Sequence, residues 1–149
     1  MKTLVIYDSL YGNTKAVAQA VGNALAGEVD VRHIGRADAT SLKSYNLLVV
    51  GAPTHGGRPS EDVQAFFDQA PPDAFAGLNV AAFDTRLTAR WVRIFGFAAP
   101  KMGDRLQQLG GTLVAPPAGF FVKGRRGPLK EGEVERAAAW AKSLVREIP

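Results

Sequence analysis

The segment Lys2–Leu25, which reads KTLVIYDSLYGNTKAVAQAVGNAL, joins an apolar run to an alanine-rich run through a short polar loop. The first run, Lys2–Tyr7, is continuous and rich in β-branched residues, so it predicts a buried strand. In Thr14–Leu25, valine and leucine recur every four positions, which predicts a helix. A buried strand that leads directly into a helix is the first half of a βαβ unit, and it favours a parallel sheet.

The rest of the chain repeats this alternation. The further predicted strands are Val29–Ile34, Leu47–Gly51, Asn79–Phe83 and an interrupted fifth strand, Thr112–Ala115 with Phe120–Val122. The further predicted helices are a short helix or turn at Asp38–Ser44, a helix from an N-cap at Ser60 to Gln69, and the segments Phe97–Leu109 and Glu131–Arg146. Because the strands are apolar on both faces and alternate with helices, we expect an α/β fold in one domain, residues 1–149, with helices on both faces of a parallel sheet.

Composition narrows the functional classes. The 149 residues contain no cysteine, which excludes disulfides and thiol chemistry, and the two histidines, His33 and His55, lie in separate segments without a zinc-ligand pattern. The longest apolar runs are too short to span a bilayer, and the N-terminus reads as a strand rather than a signal peptide, so we expect a cytoplasmic protein. The net charge of +4 fits an acidic partner or nucleic acid, and equally an ordinary soluble protein that is rich in arginine. No basic platform with interleaved aromatic residues indicates specific nucleic-acid binding.

The loop after the first strand carries the strongest chemical signal. Residues 8–13 read DSLYGN, and they connect the carboxyl end of a parallel strand to the start of a helix, where unpaired amides and the helix dipole attract anions. Ser9 and Thr14 add hydroxyl groups, Gly12 permits close backbone approach, and Asn13 can cap the helix or donate. We interpret the loop as a phosphate cradle, with an ordinary capped helix start as the alternative; the P-loop and G-x-G-x-x-G patterns are both absent.

Two more loops are expected at the same edge of the sheet. The third strand is followed by residues 51–59, GAPTHGGRP, and the fourth by residues 84–91, DTRLTARW. Because ligands of open parallel sheets bind beyond the carboxyl ends of the strands, these loops predict one shared crevice that holds a phosphate and a flat polar ring.

These three loops resemble those of the flavodoxin family. YDSLYGNT is similar to the flavodoxin phosphate loop, LLVVGAPTHGG to the second loop of G-x-P-T type, and the fourth strand with its FDTR loop occupies the position of the third loop. The segment GPLKEGE also resembles the start of the last helix in flavodoxin-domain proteins. The resemblance implies a three-layer sandwich whose five-stranded parallel sheet has the order 2-1-3-4-5, with FMN bound non-covalently.

The resemblance also implies roles for individual residues. The residues implied at the phosphate are Ser9, Leu10 (through its backbone), Tyr11, Gly12, Asn13 and Thr14. The residues implied along one side of the ring are Pro53, Thr54, His55, Gly56 and Gly57. At the pyrimidine edge the resemblance implies Asp84, Thr85 and Arg86, and Trp91 is a candidate for stacking on the ring.

The function implied is electron transfer through bound flavin, in concert with a redox partner protein. Two features depart from the family pattern: the second loop has a histidine where many flavodoxins have an aromatic residue, and the chain is basic where flavodoxins are typically acidic. Arg58, Arg86, Arg90 and Arg93 around the flavin edge suggest an acidic partner or an anionic substrate. One alternative is a flavin enzyme of the same fold, a quinone reductase or protoporphyrinogen oxidase, with a substrate pocket over the ring built by Trp91, Phe95 and Phe97. Another is an interaction module that binds no flavin.

Overall fold

A computed structural model describes residues 1–88 and 96–148 of the chain. Its strands are β1 (Lys2–Tyr7), β2 (Glu28–His33), β3 (Leu47–Pro53), β4 (Asn79–Arg86), β5 (Thr112–Leu113) and β6 (Ala118–Phe121). Its helices are α1 (Asn13–Ala24), α2 (Glu61–Gln69), α3 (Ala98–Gln108) and α4 (Glu133–Arg146), with 3-10 turns at Ile34–Arg36 and Ala39–Ser44. The alternation of strands and helices is the one that the sequence predicts.

The strands form one parallel sheet in the order β2-β1-β3-β4-β5, with β6 beside the second half of β4. β5 and β6 therefore share the fifth position of the sheet, as the interrupted fifth strand predicts. β3 is buried on both faces, because residues 47–52 are all inaccessible to solvent. This double burial explains why its sequence is a continuous apolar run rather than an alternating one.

Helices cover both faces of the sheet and produce two separate cores. One core contains Phe67 of α2 and Met102 and Leu106 of α3. The other contains Val17 and Val21 of α1, together with apolar residues of α4, against the opposite face. The structure therefore confirms the three-layer sandwich with the strand order 2-1-3-4-5. None of the helices in residues 1–88 and 96–148 is long and apolar enough to cross a membrane.

The prediction for the fourth strand is wrong in its extent. We expected the strand to end at Phe83, with Asp84–Arg86 in a loop, but β4 continues to Arg86 and pairs with β6 over that stretch. The physical reason is that the polar side chains have partners there: Asp84 binds Arg86, and the Thr85 hydroxyl binds that of Thr14. Smaller differences occur at the ends of β2, β3, α1 and α4, where helix and strand boundaries are least determined by sequence.

Candidate functional site

A cavity of about 530 Å³ opens at the carboxyl ends of β1, β3 and β4. Its lining comes from the loop after β1, the end of β3 with the following turn, the end of β4, and the segment after β6. The lining residues are Ser9, Leu10, Tyr11, Asn13, Thr14, Pro53, Thr54, His55, Gly56, Gly57, Thr85, Arg86, Leu87, Val122 and Arg125. Twelve of these fifteen lining residues are among the site residues that the sequence predicts.

The loop after β1 is built around one hydroxyl group. Ser9 Oγ accepts hydrogen bonds from the amide of Gly12 at 3.0 Å and from the amide of Lys15 at 3.4 Å. Gly12 is the N-cap of α1 with a φ of 90°, a left-handed conformation that favours glycine. Asn13 is therefore the first helical residue and makes no side-chain cap. Gly12 does not line the cavity; it lines a neighbouring groove together with Lys15 and Arg32.

Several amides of this loop are left available by the fold. Within residues 1–88 and 96–148, the amides of Leu10, Tyr11, Asn13 and Thr14 make no hydrogen bond to the chain. All four residues line the cavity, and two of the amides belong to the first turn of α1, the positive end of its dipole. Unpaired donors at a helix start form an anion site, and a phosphate group is an anion of suitable size and charge.

A buried hydroxyl bridge links this loop to the sheet. Thr14 Oγ1 and Thr85 Oγ1 are 2.8 Å apart, and either atom can donate. Both residues are almost fully buried. Each hydroxyl retains further hydrogen-bonding capacity, because a hydroxyl group has one hydrogen and two lone pairs. The bridge fixes the first turn of α1 against the end of β4, so the two predicted parts of the site hold a defined position relative to each other.

The second loop is a tight two-residue turn. The backbones of His55 and Arg58 exchange hydrogen bonds of 3.0 Å in both directions, with Gly56 and Gly57 between them. Both glycines have positive φ angles, 56° and 76°, which a hairpin turn of the primed type requires and other residues adopt only with strain. The carbonyl of Gly57 accepts a hydrogen bond from Lys101 Nζ at 2.5 Å. The turn therefore forms one wall of the cavity with its backbone position set from α3.

The third part of the site rests on a buried ion pair. Asp84 is fully buried and accepts two hydrogen bonds of 2.7 Å from Arg86, through Nε and Nη2. The same carboxylate accepts the amide of Ala99 at 2.9 Å and so caps α3. The Arg86 guanidinium also stacks on Phe97, 3.6 Å from the ring centroid. Asp84 thus lies beneath the cavity rather than in its lining, and it neutralises and orients Arg86, which does line it.

Three lining residues were not among those that the sequence predicts. Leu87 follows β4, and Val122 and Arg125 belong to the segment after β6. The basic stretch 123–130, with two arginines and two lysines, is the feature of the sequence that could have pointed to Arg125. Nothing in the sequence shows that this stretch turns back over the loop after β1. Trp91, together with Arg90, Arg93 and Phe95, lies outside the described residues.

The lining determines what chemistry the site can support. Within the part of the chain that the structure describes, the lining contains no carboxylate, and its one imidazole is that of His55. Arg58, Arg125 and Arg126, at or beside the cavity mouth, form no ion pair with any described residue. The site combines amide donors for an anion, an apolar and glycine-lined slot for a flat ring, and a cationic rim.

Comparisons with known proteins agree with this architecture. The family model described as flavodoxin matches residues 5–140. A flavodoxin from Synechocystis sp. is 29% identical over 121 residues, which are 78% of this chain and 71% of that protein. Flavodoxin 1 from Escherichia coli K12 is 25% identical over 98% of this chain and 94% of its own length. The solved structure of a flavodoxin from the domain Archaea has a TM-score of 0.83 at 22% identity, with 99% of each chain covered.

Proposed function

The chain belongs to the flavodoxin family of flavin-dependent electron-transfer proteins, and we propose that its cavity binds FMN non-covalently. The phosphate binds at the loop of Ser9–Thr14, and the ring lies between the glycine turn and the end of β4. The site residues expected from the sequence, Asp84 and Gly12 included, serve this group directly or through the residues that they position.

The observation that carries this proposal is the set of amides that the fold leaves unpaired. Four unpaired amides on residues that line one cavity, two of them at the start of α1, offer donors to a ligand that accepts hydrogen bonds. A phosphate monoester carries a charge of about −1.5 to −2 at neutral pH and three acceptor oxygens. The dipole of α1 adds attraction for that charge. Ser9 can donate its hydroxyl hydrogen to the same group, because in the loop it acts only as an acceptor.

The remaining lining residues serve orientation and exclusion of water. Thr54 is held by two contacts: its Oγ1 accepts the amide of Ala98 at 3.0 Å, and its own amide donates to the Thr85 carbonyl at 3.0 Å. These two hydrogen bonds fix the position of Thr54 in the cavity lining. The glycine turn permits close approach of a planar ring, because neither Gly56 nor Gly57 presents a side chain. Preorganised walls of this kind favour one bound geometry over many.

When bound, flavin supplies reversible transfer of one or two electrons, and the protein sets its environment. In this proposal Arg86, a lining residue, lies near the ring, and its charge is balanced by Asp84 at 2.7 Å, so the pair contributes a dipole rather than a net positive charge. The match of the flavodoxin family model to residues 5–140 supports a carrier over an enzyme that transforms a substrate.

We further propose that the redox partner presents an acidic surface. Arg58, next to the glycine turn, and Arg126, in the segment after β6, form no ion pair with any described residue, and the whole chain has a net charge of +4. Opposite charges across an interface raise the rate of association and are screened by salt. The rate of electron transfer should therefore fall steeply as ionic strength rises.

The decisive test of the cofactor is a titration of the purified, flavin-free protein with FMN, followed by quenching of flavin fluorescence. We expect saturation at one equivalent and weaker binding of riboflavin, which lacks the phosphate. Failure to bind either flavin would refute the proposal. Turnover assays with NAD(P)H and quinones then separate carrier from enzyme: a carrier passes electrons only when a separate reductase is present.

A further inference from the structure

The segment after β6 forms a cationic hairpin, two residues of which line the cavity. Residues 122–130 read VKGRRGPLK and contain four cationic and no acidic side chains; we call this segment the basic strap. Val122 and Leu129 pair as an antiparallel bridge. The amide of Lys123 donates to the Pro128 carbonyl at 2.8 Å, and the amide of Gly127 to the Gly124 carbonyl at 2.9 Å. The strap is therefore a closed hairpin with a defined tip.

The base of the strap is fixed to the sheet and to α4. The amide of Lys130 donates to the Phe121 carbonyl at 2.9 Å, and the amide of Phe121 donates to Glu133 Oε2 at 2.7 Å. Arg136 binds the same carboxylate through two further hydrogen bonds, and these hold the pKa of Glu133 below its usual value. Because the base is anchored on both sides, the tip is directed to one place.

The tip of the strap packs on the loop that carries the unpaired amides. A Cβ added to Gly127 would lie 2.4 Å from Asn13 Oδ1, so the backbone of Gly127 is in direct contact with the Asn13 side chain. The Arg126 guanidinium lies over the Tyr11 ring, 5.8 Å from its centroid. Arg125, which directly precedes Arg126 in the strap, lines the cavity together with Tyr11, Asn13 and Thr14. Arg125 forms no ion pair with any residue in the described ranges.

We propose that the basic strap is part of the phosphate site, with Arg125 as an ion-pair partner of the cofactor's phosphate and Arg126 as the residue that holds the strap against Tyr11. This inference rests on the proposed function. A guanidinium group binds phosphate with charge-assisted hydrogen bonds, often two at once. The strap makes the site selective for the phosphorylated flavin, because riboflavin offers no charge to Arg125.

The test compares FMN and riboflavin on flavin-free protein by fluorescence quenching. Arg125→Gln should weaken FMN binding about tenfold, in line with the usual strength of charged hydrogen bonds, and leave riboflavin binding unchanged. Arg126→Gln should weaken FMN binding by a smaller factor, because it loosens the strap without removing the phosphate partner. Arg146→Gln is the matched control: Arg146 is exposed in the last turn of α4, about 20 Å along the helix from its strap end.

A second measurement uses the charge of the phosphate itself. The second pKa of a phosphate monoester is about 6, so FMN loses one negative charge as the pH falls below that value. FMN binding by the wild-type protein should weaken over this range, and the weakening should be smaller in Arg125→Gln.

The inference is overturned if Arg125→Gln binds FMN as tightly as the wild-type protein, or if FMN and riboflavin lose affinity by the same factor. In either case the wild-type protein still binds FMN, so the proposed function stands. If the wild-type protein binds neither flavin, the proposed function and this inference fail together.

Discussion

The buried pair of Asp84 and Arg86 gives a sharp prediction about stability. Asp84 is fully buried and accepts three hydrogen bonds, two from Arg86 and one from the amide of Ala99. Replacing Asp84 with Ala leaves a cation without its partner and α3 without its cap. Removing one member of a buried pair costs about 3–5 kcal/mol. Because 15% of the Arg86 side chain is exposed to solvent, we expect the free energy of unfolding to fall by an amount at the lower end of this range, about 3 kcal/mol.

The mutations can be combined to isolate the ion pair from the cap. In Asp84→Asn the remaining side-chain oxygen can still accept the amide of Ala99, so this variant should lose only about 2 kcal/mol. The double variant Asp84→Ala/Arg86→Ala contains neither charge, so it should be more stable than the sum of the two single losses predicts, by about 2 kcal/mol. This excess measures the cost of leaving either charge alone in the sheet.

The assay is urea unfolding of the flavin-free protein, followed by circular dichroism, because bound ligand would stabilise the folded state and mask the differences. A loss of about 3 kcal/mol should also lower the melting temperature by roughly 6–12 °C for a domain of this size. Strict additivity of the two alanine substitutions, or a loss below about 1 kcal/mol for Asp84→Ala, would refute our account of β4.

Three further predictions concern other buried groups. The hydrogen bond from Arg136 lowers the pKa of Glu133, so the stability that Glu133 contributes is present above about pH 4.5 and is lost as the pH falls through the lowered folded-state pKa. Glu133→Gln should flatten the dependence of the unfolding free energy on pH in this acid range. An unchanged slope would contradict the assignment. Burial and the hydrogen bond to Asp30 raise the pKa of Tyr45, so its contribution is present below about pH 10 and is lost as the pH rises through the folded-state value; Tyr45→Phe should remove that alkaline loss in urea titrations. Gly51→Ala would place a Cβ 2.0 Å from the Phe83 ring, so we expect it to destabilise the protein by about 1–3 kcal/mol, and a melting temperature equal to that of the wild type would show that the ring can move aside.

The layered fold follows from patterns that are visible in the chain. Runs such as Leu47–Gly51 are apolar without alternation, and only a strand buried on both faces satisfies such a run. Ser60 accepts the amide of Val63 at 3.4 Å, as its position before two acidic residues predicts. These features depend on neighbours in sequence, so a single sequence contains the information that they need.

Features that depend on distant partners are harder to predict. Asp84 and Arg86 read as a loop because polar residues usually mark the end of a strand, yet residues two apart in a strand share a face and can neutralise each other there. Arg125 reads as part of a surface loop because the contact that holds its segment at the cavity, between Gly127 and Asn13, spans more than a hundred positions of the chain. In both cases the missing information is a long-range contact, which no local pattern encodes.

The hydroxyl bridge between Thr14 and Thr85 has a consequence for the direction of hydrogen bonding. Thr14 has one hydrogen to give. If it gives that hydrogen to a phosphate oxygen, it must receive the hydrogen of Thr85 across the 2.8 Å bridge. Binding of a phosphate would then fix the direction of the Thr85 O–H bond at the end of β4. The electrostatic potential on the ring side of the pocket would therefore differ between the occupied and the empty anion site.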